Sequence, residues 1–270
     1  MIEHYVWLIP LGLIIGAYGT LIGVGGGFVL VPLLLLLYPK ENPEIITSIS
    51  LAVVFFNALS GSVAYAWAKR IDYRSGIIFS ASTIPGAILG ALTTIYIPRR
   101  TFDLIFGFSL IGVSVFLLLI PLGNPEQGKT REDLQQISIP QGGSPYLFFN
   151  NRFLGMGLSF ILGYFSSLLG TGAGFLYVPA FVYLLNFPVH IATATSQFIL
   201  AIMALTGSTT HVVSGLFYRG VRRTLSLAIG VIIGAQLGAR ASNYVRGNWI
   251  IRSLAIGLLL VGVRLIVMAI

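Results

Sequence analysis

Six long stretches of this chain carry no Asp, Glu, Lys or Arg, and they decide what it can fold into. They are Tyr5–Pro39, Ile45–Ala68, Ser75–Pro98, Leu104–Pro125, Phe153–Tyr218 and Thr224–Ala239. All eight carboxylates (Glu3, Glu41, Glu44, Asp72, Asp103, Glu126, Glu132 and Asp133) fall outside them. A helix needs roughly 20 apolar residues to cross a bilayer, and several of these stretches reach or exceed that length. Only 9% of the residues are charged, against about a quarter in a soluble domain. Lipid is therefore the expected solvent. Transmembrane β-barrels alternate apolar and polar residues, which these stretches do not, so the expected spans are helices. The first stretch is too long, and too poor in Lys and Arg at its start, to read as a cleaved signal peptide.

The sequence also repeats itself. Gly16, Leu21, Gly23, Gly25, Gly27, Phe28, Val31 and Pro32 recur in step as Gly163, Leu168, Gly170, Gly172, Gly174, Phe175, Val178 and Pro179. After a one-residue slip, Thr47, Ser50, Ala58, Leu59, Gly61 and Ser62 match Thr193, Ser196, Ala204, Leu205, Gly207 and Ser208. Further on, Gly86, Gly90 and Ala91 match Gly230, Gly234 and Ala235. The fold expected is an all-α polytopic bundle of two homologous membrane repeats, 1–121 and 152–270. A polar linker at 122–151, rich in Pro, Gly, Gln and charge, joins them outside the membrane. In each half an apolar segment (5–22; 153–170) reaches a glycine hinge. A segment short for a full crossing follows (27–38; 174–186), then three longer helices (44–68, 73–96 and 101–121; 189–214, 222–242 and 248–269). The short segments read as half-helices or re-entrant hairpins. With three further crossings each half would cross an odd number of times, which would make the repeats inverted, as in many transporters; an eight-to-ten-span parallel arrangement is the alternative.

The glycine clusters at 23–27 and 170–174 are not nucleotide loops, because no Lys-Ser/Thr follows them. Close helix packing through small residues is one use for them. The other is chemical: an unwound backbone at the start of a half-helix offers unpaired N–H groups and the positive end of the helix to an anion. Candidate amide donors are Gly25, Gly26, Gly27, Gly172 and Gly174. The following helices carry uncharged polar groups at Ser50 and Asn57, and at Thr193, Ser196 and Gln197, which can hydrogen-bond an oxyanion without burying a second charge. His211 is a candidate for proton coupling. Pro32 and Pro179 would reinforce the breaks.

Several classes drop out. No cysteine is present, which removes disulfides and thiolate chemistry. No carboxylate is expected within a membrane span, although carboxylates are the usual intramembrane partners of protons and metal cations. No metal site, cofactor or catalytic constellation is expected, and an enzyme is not expected. The net charge of +8 sits largely in short loops, at Lys69, Arg70 and Arg74, at Arg99 and Arg100, and at Arg219, Arg222 and Arg223. It reads as orientation by positive charge and contact with anionic lipid, not nucleic-acid binding. The expected partners are a small anionic solute and membrane lipids; a homodimer is compatible with the sequence.

At the paired glycine segments that run into Val31-Pro32 and Val178-Pro179, the chain resembles the sulfite exporter TauE/SafE family of membrane permeases. Ala192–Ser196 and Gly230–Arg240 are similar to family segments as well, and their first-half counterparts, Ile46–Ser50 and Gly86–Ala91, match more loosely. The resemblance covers nearly the whole chain. It implies a secondary transporter of small sulfur-containing or carboxylate anions in the bacterial cytoplasmic membrane, often exporting sulfite or organosulfonates. An anion channel of the same architecture and an importer of small carboxylates are the alternatives.

Overall fold

A computed structural model describes residues 6–119, 152–172, 174–185, 187–215, 218, 220–242 and 247–269. His4, the linker 122–151, Ala173 and Arg219 lie outside the described residues. The described chain is helical with no strand. In the first half the helices are α1 (Leu8–Ile22), α2 (Gly27–Leu37), α3 (Pro43–Trp67), α4 (Tyr73–Thr94) and α5 (Arg99–Leu119). In the second they are α6 (Arg152–Leu169), α7 (Gly174–Pro179), α8 (Val189–Val213), α9 (Val221–Ala241) and α10 (Gly247–Ala269). Four of them, α3, α4, α8 and α9, are long and apolar enough to cross a membrane.

The helix ends follow local chemistry. Asn42 precedes Pro43 at the first position of α3, with Glu44 in the first turn, where proline is pre-shaped and a carboxylate meets the positive helix end. Asp72 caps α4 by accepting from the Arg74 N–H at 3.2 Å and the Ser75 hydroxyl at 2.7 Å. Glycine closes α1: Gly23, at φ +83°, donates back to the carbonyls of Gly19 and Thr20, the left-handed stop that costs other residues most. Pro32 lies inside α2 without ending it. Its counterpart Pro179 ends α7, and a single π-helical turn, Ala180–Leu184, carries the chain on.

Glycine contacts report how the helices run. A side-chain carbon on Gly230, Gly234 or Gly238 would strike the carbonyl of Ile9, Leu13 or Ala17, so α1 and α9 lie parallel and nearly touching. Gly86 and Gly90 stand in the same relation to Phe160 and Tyr164, so α4 and α6 are also parallel. Small residues let backbones approach this closely. By contrast, Gly61 lies beside Gln197 while Gly207 lies beside Leu51, which makes α3 and α8 antiparallel. Gly107 lies beside Gly262, and the Ser114 hydroxyl donates to Ala255 at 2.7 Å, which makes α5 and α10 antiparallel too. Two pairs that match in the sequence repeat, α3 with α8 and α5 with α10, therefore face each other in opposite directions.

These contacts also move one part of the repeat. Gly86 and Gly90 match Gly234 and Gly238 by their neighbours, one helical turn beyond the Gly230 and Gly234 of the sequence match. Glycines at every fourth residue of α9 make the two registers nearly indistinguishable by sequence.

Arg99 and Arg223 fix the far end of α2. Arg99 donates to the carbonyls of Leu35 at 2.9 Å and Glu41 at 2.8 Å, and pairs with Asp103 at 3.0 Å. Arg223, at the start of α9, pairs with Glu41 at 3.1 Å and lies 3.8 Å from the centre of the Tyr38 ring. A cation at a helix C-terminus satisfies its last carbonyls and its dipole. Since α1 enters parallel to α9 and α2 ends at the start of α9, the two form a hairpin that enters and leaves at one end of the bundle. Two of the loop arginines thus also hold the end of α2. Asp103, at 8% exposure, is the buried carboxylate of that arrangement.

Candidate functional site

The two hinges meet. Val24 follows Gly23, and then Gly25 and Gly26 hold φ of +76° and +77°; on the other side Gly170 and Gly172 hold +67° and +80°. Left-handed backbone at successive positions is open to glycine and strained for any other residue, so each cluster reverses the chain in the least space. A side-chain carbon on Gly27 would collide with the Thr171 carbonyl, and one on Gly174 with the backbone of Val24 and Gly23. The starts of α2 and α7 therefore lie against the opposite hinge. The first N–H groups of a helix have no intrahelical acceptor, so the starts of α2 and α7 bring two sets of such donors together; the Gly25 N–H, an expected donor, is instead taken by the Gly19 carbonyl at 3.2 Å.

Val54 of α3 and Leu200 of α8, equivalent in the repeat, stand against both hinges. A carbon on Gly25 would lie 3.2 Å from Val54 and 3.5 Å from Leu200; one on Gly172 would lie 2.7 Å and 3.7 Å from the same two side chains. Both are fully buried. They form an apolar plug between the hinges.

The predicted polar residues divide into three groups. Thr193 packs against Gly23, and its hydroxyl donates back to Val189 at 2.8 Å. The Ser196 hydroxyl lies 2.9 Å from the carbonyls of Gly23 and Thr193 and donates to one of them at a time. These two hold the first hinge in place. Asn57 and Gln197 come from different helices yet converge on that same hinge. The Thr20 hydroxyl donates to Asn57 Oδ1 at 3.2 Å, and Gln197 Nε2 donates to Gly19 at 3.5 Å. Asn57 Nδ2 and Gln197 Oε1 are buried without a partner among the described residues. Ser50, one turn beyond the Thr47 that packs on Gly170, is also buried with an unpartnered hydroxyl. His211 stands apart: it is fully enclosed, and neither ring nitrogen has a partner among the described residues. It occupies in α8 the place of Tyr65 in α3, whose hydroxyl donates to Thr20 at 2.9 Å.

Sequence reading passed over Thr20, Tyr65, Ser166, Ser167 and Thr171. The last three carry buried hydroxyls without partners, at the end of α6 and in the second hinge. Thr20 and Ser167 occupy equivalent places at the ends of α1 and α6, a signal present in the repeat itself. Buried donors without acceptors are costly unless something accepts from them. Around the hinges those donors are the hydroxyls of Ser50, Ser166, Ser167 and Thr171 and the amide of Asn57. The Gln197 oxygen is the exception, an acceptor fixed as such because its Nε2 donates to the Gly19 carbonyl.

The chain was compared with known proteins. A family model described as sulfite exporter TauE/SafE matches residues 8–265. The probable membrane transporter protein YunE of Bacillus subtilis is 34% identical over 268 residues, covering 97% of each chain. A probable membrane transporter protein of Xylella fastidiosa is 24% identical over 98% of this chain and 95% of its own. One from Methanocaldococcus jannaschii is 24% identical over 87% and 85%. No solved structure matches.

Proposed function

The chain belongs to the sulfite exporter TauE/SafE family and is a multi-pass membrane transporter, and from that premise we propose that it moves small sulfur-containing anions, sulfite or organosulfonates, outward across the bacterial cytoplasmic membrane. It works by alternating access as a secondary transporter built from two inverted repeats. The observation that carries the anion reading is the contact between the two hinges. There, helix-start amides of Gly26 and Gly27 and of Gly172 and Gly174, with the donors of Ser50 and Asn57 that have no partner among the described residues, would face one bound anion, with no carboxylate among them. An anion there gains the ends of two helices at once. Thr193 and Ser196 hold the hinge geometry, and Gln197 sets orientation.

In this conformation Val54 and Leu200 fill the space between the hinges, so the state is closed. Opening to either side requires the pair to separate while α3 and α8 slide or tilt against each other. The amides then face one aqueous side at a time. Binding follows when the anion replaces the apolar plug against the hinges.

The test is thermal stabilisation of the purified protein by sulfite, sulfate, thiosulfate, taurine, sulfoacetate and short carboxylates at matched ionic strength. A ligand at about a hundred times its dissociation constant adds roughly 2.7 kcal/mol to the folded state, and one sulfur oxyanion is expected to stand out. A flat response across the panel removes the anion reading.

His211 is the proposed proton-coupling group, since it is a titratable side chain enclosed in a span without a partner among the described residues. In proteoliposomes, His211→Gln should make anion flux insensitive to an imposed pH gradient while anion-for-anion exchange continues. Flux that still follows the gradient would take the role away from His211.

A further inference from the structure

A second feature of α3 and α8 has no part in the hinge site. Between them lies an open groove of about 310 Å3. Phe55, Leu59 and Ala66 of α3 form one wall, and Phe198, Ala201 and Leu205 of α8 form the other. Leu59 and Leu205 are 45% and 48% exposed, so the groove opens along the outside of the bundle, which faces hydrocarbon in a membrane. From Phe55 to Ala66 the wall runs about 16 Å at 1.5 Å per residue. That is about half of the ~30 Å hydrocarbon core, the depth of a single leaflet.

The groove has one charged end. It finishes at Ile71, in the connection between α3 and α4, and at Tyr73, the first residue of α4; Lys69 and Arg70 of the connection and Arg74 of the first turn of α4 lie beside them in sequence. Lys69 and Arg74 are exposed, and Arg70 is half-buried. The neighbouring Asp72 is committed to capping α4, so the connection is left with net positive charge. Trp67 and Tyr73 are 79% and 49% exposed at the same end, as aromatic residues are at the headgroup level. The elements are thus an apolar slot one leaflet deep, an aromatic rim and a basic mouth.

The geometry points to a binding site for one anionic glycerophospholipid: an acyl chain lies between α3 and α8, and its phosphate meets Lys69, Arg70 and Arg74. Basic residues at the membrane surface attract anionic headgroups individually and additively, while the slot contributes apolar burial along the chain. Phe55, Phe198 and Ala201 adjoin Val54, Gln197 and Leu200 in sequence. A lipid in the groove therefore braces the two helices whose relative movement opens the hinges.

Native mass spectrometry of the purified protein, titrated with phosphatidylglycerol or phosphatidylcholine of identical acyl chains, tests this. Phosphatidylglycerol should be retained as one molecule per protein at a concentration at least about tenfold lower than phosphatidylcholine. The triple variant Lys69→Gln/Arg70→Gln/Arg74→Gln should erase that difference. Ala201→Phe, which fills the slot, should remove the retained lipid although every cation remains. Leu205→Trp fills it from the exposed rim and serves if Ala201→Phe does not fold. Equal retention of the two lipids, or retention unchanged in the filled-slot variant, overturns the proposal. So does a lipid-free dimer that Leu205→Trp splits, since the groove would then hold a second copy of this chain.

Discussion

Gly27→Ala and Gly174→Ala are each expected to abolish anion transport in proteoliposomes while the protein still folds and elutes as a single species. Each added methyl would meet backbone of the opposite hinge: the Thr171 carbonyl for Gly27, and Val24 with the Gly23 carbonyl for Gly174. Backbone cannot rotate away as the end of a side chain can, so the two hinges must move apart. Overpacking of this kind costs about 1–3 kcal/mol, which the fold can absorb. A binding place made of two sets of amides cannot, because both sets must reach the same ligand. The stabilising anion of the panel should lose its effect in both variants. Leucine at either position is a poorer probe, since its bulk would part the hinges far enough to unfold the bundle. Wild-type flux in both alanine variants would place the anion elsewhere.

The largest loss of stability is expected from Gly234→Leu. Gly230, Gly234 and Gly238 form one face of α9, against the carbonyls of Ile9, Leu13 and Ala17 of α1. A leucine in the middle of that face separates the helices along their whole contact, and the entry to the first hinge moves with α1. Folded yield should collapse, or the unfolding midpoint should fall well below that of wild type. Gly157→Ala is the matched control. Nothing lies within 4 Å of a carbon added there, so it should leave the midpoint unchanged or raise it slightly, by at most about 1 kcal/mol of helix propensity. Equal effects of the two variants would refute close α1–α9 packing.

The same comparison separates glycines by purpose, which sequence cannot do. The clusters at 23–27 and 170–174 recur beside short helices and hold left-handed φ at Gly23, Gly25, Gly26, Gly170 and Gly172, which tight chain reversal requires. Yet Gly230, Gly234 and Gly238 recur just as regularly and serve helix contact alone. Residue identity is the same in both cases; the backbone conformation is what differs.

The sequence by itself determined the solvent, the helical class, the two-part repetition and the positions of the breaks. Each is written locally: in runs without charge, in a spacing of glycine and proline that recurs, and in caps such as Asn42-Pro43 and Asp72. The tertiary structure alone decided which of these pieces share a place. It brought Asn57 and Gln197, from different halves, to one hinge and left Met203 and Leu51 at the equivalent positions of the other. It gave Arg99 and Arg223 partners at the end of α2. It set Val54 and Leu200, two ordinary apolar residues among dozens, against both hinges at once. Such pairings depend on how helices distant in sequence cross, and in a chain this uniformly apolar no period or motif marks the residue that will stand at the crossing.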